Sequence, residues 1–181
     1  DKTGITLELC TPTTAAELAG GYCLLLPADL PVIPEVFPTN WFDEHFYWDG
    51  STVVDLPLAP GATKAGRAVL VQALEGAFAT GPVIPGEQIV FCRFRFDFRD
   101  LPLSGTYTIY TPFGIRVFPN LTGGVGTRLF YTEDIGLSCP LGDFTCALQA
   151  GVGPFLLPSN TPGGAELAPF ADPAIPGKLY I

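Results

Sequence analysis

The chain has 181 residues, of which 18 are acidic and 9 basic, giving a net charge of −9 and an isoelectric point of about 4.3. That balance argues against nucleic acid and anionic membrane surfaces as partners, since both would repel it. The longest apolar stretch, Ala68–Ala79, is interrupted by Gln72 and Glu75 and is too short for a membrane helix. Hydrophobic residues at 48% with charged residues at 15% argue against disorder, and 21 glycines with 19 prolines predict short strands joined by tight turns.

In chain order, the alternation of Ile5–Leu9 predicts a strand running into Cys10, followed by a loop with a short helix at Thr14–Ala19. Pro27–Pro38 carries prolines at 27, 31, 34 and 38 and is read as irregular or polyproline structure. Trp41–Trp48 is dense in aromatics, with Phe46 and Trp48 expected on one face and Tyr47 on the other. Asp49-Gly50 reads as a turn into a strand at Ser51–Leu56. Ala65–Ala79 tolerates a helix, but Val69-Leu70-Val71 and the Gly/Pro cluster that follows favour a strand.

Glu87–Arg99 shows the cleanest alternation. Positions 90, 92, 94, 96 and 98 are apolar, and Arg93, Arg95 and Asp97 point the other way, which places Cys92 on the buried face and predicts cross-strand ion pairs on the opposite one. Further strands are predicted from Tyr107, at Ile115–Phe118 and at Arg128–Thr132, with Tyr107 and Ile109 sharing a face. The tail Leu156–Ile181 is proline-rich and is expected to pack as an extended cover through Phe155, Phe170 and Tyr180. These spacings predict an all-β fold, an antiparallel β-sandwich of Ig-like or jelly-roll-like type with roughly 8–11 strands, spanning 1–181 as a single domain. The absence of methionine and of a leader-like start reads as a processed chain or one domain of a longer protein.

Five cysteines stand at 10, 23, 92, 139 and 146. The local pairs Cys10–Cys23 and Cys139–Cys146 lack the spacing of zinc or redox motifs and read as two disulfide loops, which implies an oxidising, extracellular compartment. Cys92 remains as a buried small hydrophobe.

The run Leu101-Pro102-Leu103-Ser104-Gly105-Thr106-Tyr107-Thr108-Ile109 resembles the L-P-x-G-x-Y turn-and-strand of bacterial secreted and cell-surface β-sandwiches, such as collagen-adhesin B-type and prealbumin-like modules, with Ser104 as an insertion. Gly4–Cys10, Gly86–Phe96 and Tyr131–Gly136 likewise resemble large bacterial secreted proteins without an assigned activity. The resemblance implies a sandwich within a surface protein, a tight turn shaped by Pro102 and Gly105, and Tyr107 anchored in the core. It carries over no catalytic residue.

Chemistry-bearing residues are sparse. His45 is the only imidazole, and the serines at 51, 104, 138 and 159 lack a nucleophile-elbow context, so a serine hydrolase is disfavoured. Glu133 and Asp134 are adjacent on a strand and point to opposite faces, against a glycosidase pair. Asp43, Glu44 and Asp49, beside His45, are the metal candidates, with Ca2+ as the ion, but no calcium-loop pattern is present and no cofactor is implied. Asn120-Leu121-Thr122 is a formal glycosylation sequon. Trp41, Tyr47 and Trp48 are the binding candidates, because exposed rings serve sugars or protein partners. The sequence therefore predicts a non-enzymatic extracellular structural or adhesive module, self-associating or joined to neighbouring surface-protein domains. The alternatives are a carbohydrate-binding module using Trp41, Tyr47 and Trp48 on polysaccharide, then a glycoside or ester hydrolase.

Overall fold

The computed structural model describes residues 7–149, 151–153, 159–161, 163–168, 170–171, 176 and 179–180. The chain opens with α1 (Ala15–Ala19), started by a reciprocal cap in which the Glu17 amide donates to Thr14 Oγ1 and the Thr14 amide donates to Glu17 Oε2. A 3-10 turn (Tyr22–Leu24) follows, and no regular element forms between 25 and 44, as the prolines predict.

Eight strands follow among the described residues: β1 (His45–Asp55), β2 (Arg67–Phe78), β3 (Gln88–Arg99), β4 (Gly105–Thr111), β5 (Gly114–Leu121), β6 (Arg128–Ile135), β7 (Phe170–Ala171) and β8 (Leu179–Tyr180). All pairings are antiparallel. The main sheet has the order β1-β2-β3-β6, β4 and β5 form a hairpin, and β7 pairs with β8. The fold is all-β, and the Ala65–Ala79 segment forms a strand over Arg67–Phe78, not a helix.

The core lies between the main sheet and the β4–β5 hairpin. Cys92, Phe94, Phe96 and Phe98 of β3 and Leu129 of β6 are buried, and Tyr107, Ile109, Phe118 and Leu121 of the hairpin pack against them. Phe96 is the hub: its ring meets Phe118 edge-on at 5.8 Å and stacks on Tyr131 at 6.0 Å. Such pairings add specificity to the burial of large rings. Two layers packed this way form an antiparallel sandwich. The Cys92 thiol donates to the Ala147 carbonyl at 3.4 Å.

The turn motif acts as its chemistry implies. The Tyr107 ring packs on the core, and its hydroxyl donates to the Leu103 carbonyl at 2.6 Å while accepting from the Leu103 amide at 3.2 Å. The tyrosine thereby closes the turn that feeds its own strand.

Three local expectations are corrected. Ile5 and Thr6 lie outside the described residues, and Leu7–Leu9 form no strand. The Cys10 amide only touches β1, donating to the Phe46 carbonyl at 2.9 Å. Asp49-Gly50 is not a turn, because β1 runs straight through it, pairing Asp49 with Ala73 and Gly50 with Gln72. The glycine serves packing instead: a Cβ at Gly50 would stand 2.9 Å from the Trp48 indole, so the bare backbone lets that ring lie flat across the strand. The expected facing of the aromatics is also reversed. Phe46 pairs with Glu75 and Trp48 with Leu74, leaving Tyr47 as the extra residue of a β-bulge, so Phe46 and Trp48 face opposite sides. In the proline-rich tail, among the described residues, Ser159 bridges Glu166 and β7 pairs with β8, while Phe155 and the side chains of Phe170 and Tyr180, on which the expected cover rests, lie outside the described residues.

Candidate functional site

The bulge in β1 decides where the predicted rings go. Trp48 joins the core face and meets Phe113 edge-on at 6.1 Å. Trp41 and Tyr47 instead line a cleft of about 230 Å³ at the end of the main sheet. The register sets His45, Gly76 and Val90 side by side on β1, β2 and β3, one row beyond Leu74 and Cys92 on the core-facing side. The cleft is therefore an outward continuation of the core face, floored by Gly76.

The 32–45 segment supplies one wall. Asn40 knots it, with Nδ2 donating to the Val32 and Pro34 carbonyls and Oδ1 accepting the Val36 amide. Glu35 ties it to β1. Its Oε1 accepts the Phe42 amide, and its Oε2 meets His45 Nε2 at 2.9 Å, with both side chains buried. His45 is thus held by a carboxylate, and Trp41 stacks on it at 4.5 Å. The remaining walls come from the disulfide loops: Leu9 adjoins the Cys10–Cys23 bridge, and Phe144 lies within the Cys139–Cys146 loop. Both predicted bridges are formed.

Other candidates are not gathered here. Among the described residues no serine, aspartate or glutamate lines the cleft. Among the described residues no group of three or more histidine, cysteine, aspartate or glutamate side chains is placed to hold a metal, so Asp43, Glu44 and Asp49 do not converge with His45. Glu44 faces Arg93 at 3.7 Å, and partial burial lifts the Asp49 carboxyl above its usual range. Glu133 and Asp134 do face opposite sides: Glu133 pairs with Arg116 at 3.1 Å and Asp134 with Arg93 at 2.9 Å.

The outer face of the main sheet carries the charge network that the alternation predicts. Arg93 forks onto Asp134 through Nε and Nη2, both at 2.9 Å, and its Nη1 reaches Glu75 at 3.0 Å. Asp97 is held by Arg128 and Arg99, which drop its carboxyl to about 2. Glu75 is the unforeseen member. It is 1% exposed, and burial pushes its carboxyl up to about 8, with Arg93 pulling back and the neighbouring Glu44 and Asp134 adding to the rise. Sequence reasoning also missed Glu35, Phe37, Gly76, Phe78, Gln88 and Phe144. Their only signal was local, apolar or turn-like, and the cleft assembles them across more than 100 positions of chain.

Fold and site together define an all-β protein of antiparallel sheets clasped by two disulfides, with an aromatic cleft at one end of its larger sheet. The disulfides fit an oxidising compartment, and among the described residues no helix is long and apolar enough to cross a membrane. No protein-family model, curated protein or solved structure matches the chain.

Proposed function

We propose that this chain is a non-enzymatic structural or adhesive module of a secreted or cell-surface assembly, and that it associates with further copies of itself. The observation carrying this reading is the outer face of the β4–β5 hairpin. Tyr110 is 76% exposed, Ile115 54% and Val117 56%, and the register pairs Tyr110 with Ile115 and Val117 with Thr108, so the three form one apolar patch. A patch of this kind on a chain with few charges is suited to burial against a like surface. Val53 and Val54 extend the theme at the β1 edge, where an open strand can accept another.

Sedimentation velocity across rising concentration tests this. The native chain is expected to form dimers or larger species, more so in salt that screens the net charge of −9, and Ile115→Lys with Val117→Lys is expected to remain monomeric. A native chain that stays monomeric at several hundred micromolar removes the proposal. The carbohydrate reading is favoured by Trp41 and Tyr47 lining one cleft, but Trp48 is not beside them. Glycan-array binding, with Trp41→Ala as control, decides it.

A further inference from the structure

The cleft has a composition of its own. Phe78 stacks on Phe37 at 6.2 Å with an interplanar angle of 7°, Phe37 meets Trp41 edge-on at 5.8 Å, and Trp41 stacks on His45. Four rings thus run in sequence along the site. Tyr47 and Leu9 close in over Gly76, where an added Cβ would stand 3.4 Å from the Tyr47 ring and 3.6 Å from Leu9, so the bare backbone lets these two walls approach the sheet. The walls are fixed before any ligand arrives, by Asn40, by the Glu35–His45 contact and by the two disulfides. Preorganisation of this kind lowers the ordering cost of binding.

Size and polarity narrow the occupant. A dry cavity of about 150 Å³ takes a benzene ring, whereas sites for drug-sized molecules start near roughly 300 Å³. At about 230 Å³ this cleft fits one ring with a small substituent. Among the described residues no lysine, arginine or carboxylate lines it, which disfavours a charged ligand. Two polar groups can address a substituent. Gln88 has its Oε1 occupied by the Gly86 amide, leaving its carboxamide N–H groups to donate, and the Tyr47 hydroxyl can donate or accept. A pyranose would bring several hydroxyls to apolar walls, and each one buried without a partner carries a penalty.

We propose that this cleft binds a single uncharged aromatic ring bearing one hydrogen-bonding substituent, a phenol unit, supplied either by a small aromatic molecule or by a tyrosine side chain of a partner. This binding is separate from association through the β4–β5 hairpin and can fail or succeed independently of it.

Titration with p-cresol tests the proposal. The chain has two tryptophans, so Trp48→Phe leaves Trp41, in the cleft wall, as the sole tryptophan, read by excitation to the red of tyrosine and p-cresol absorption. Saturable quenching is expected with a Kd of about 1 mM or tighter, as suits a fragment of this size. Gly76→Leu, whose side chain would crowd Tyr47 and Leu9 in the cleft wall, is expected to weaken binding at least about tenfold with far-ultraviolet circular dichroism unchanged. Should that variant misfold, Phe144→Ala, on the opposite disulfide loop, must weaken binding instead. Binding of N-acetyltyrosinamide alongside p-cresol assigns a side-chain source, and binding of p-cresol alone assigns a small molecule. No saturable response, an equal response to methyl glucoside, or undiminished binding by the folded variants overturns the proposal.

Discussion

Glu75 sits at the centre of the outer-face charge cluster, and its carboxyl makes folding stability depend on pH. In the unfolded chain the group ionises at its ordinary value of 4.5, while in the folded chain it holds its proton up to about 8. The folded state therefore carries the extra proton between these limits, and stability falls as pH rises from about 4.5 to 8. Glu75→Gln keeps the shape of the protonated form and is expected to flatten that slope. Thermal melts at pH 5 and pH 8 check it: the native Tm drops at the higher pH and the variant's changes much less. Asp97 acts in a separate window, since its lowered carboxyl adds stability that is lost only as pH falls through about 2. Gln72 is a simpler case. Its Nε2 is buried with no hydrogen-bond partner among the described residues, on the face that packs Phe94. Gln72→Met removes that unsatisfied donor at nearly constant volume, and urea denaturation is expected to show a gain of about 1 kcal/mol.

At the scale of elements, β4 depends on the tyrosine that returns to its own turn. Tyr107→Phe keeps the ring in the core and deletes both hydroxyl contacts to Leu103. A loss of about 1–2 kcal/mol is expected, read by chemical denaturation, with the fold retained. This element was legible in the sequence because turn chemistry and strand alternation agree there. β3 was legible for the same reason, as Phe94, Phe96 and Phe98 alternate strictly with Arg93, Arg95 and Asp97. The alternation did not show that Phe91 would be buried too, on the opposite face. Arg93 covers it, its guanidinium 5.1 Å from the ring centre. β1 was misread at Asp49-Gly50, because the dipeptide that signals a hairpin also suits a strand on which an indole lies flat.

For the whole molecule, the two disulfides anchor segments that have little regular structure, and those segments supply cleft walls. Replacing Cys10 and Cys23 with serine releases a loop with a sequence separation of 13, which chain-entropy reasoning puts at about 3 kcal/mol of stability. Differential scanning calorimetry is expected to show that loss as a lower Tm. An unchanged Tm would mean that packing of Leu18, Leu25 and Leu30 holds the N-terminal segment without the bridge.

Composition, cysteine spacing and period-2 patterning by themselves determined the all-β class, both disulfide partnerships and the ion-paired outer face, because each of these rests on neighbours in sequence or on a strict local repeat. The cleft was decided only by the tertiary structure. A single bulge at Tyr47 shifts the facing of β1, so Trp48 enters the core while Trp41 and Tyr47 remain at the sheet's end. Strand register then brings Gly76 and Gln88 to them, and the second disulfide loop brings Phe144. Such long-range juxtapositions depend on how strands align across the sheet, where a slip of one residue turns every following side chain to the other face.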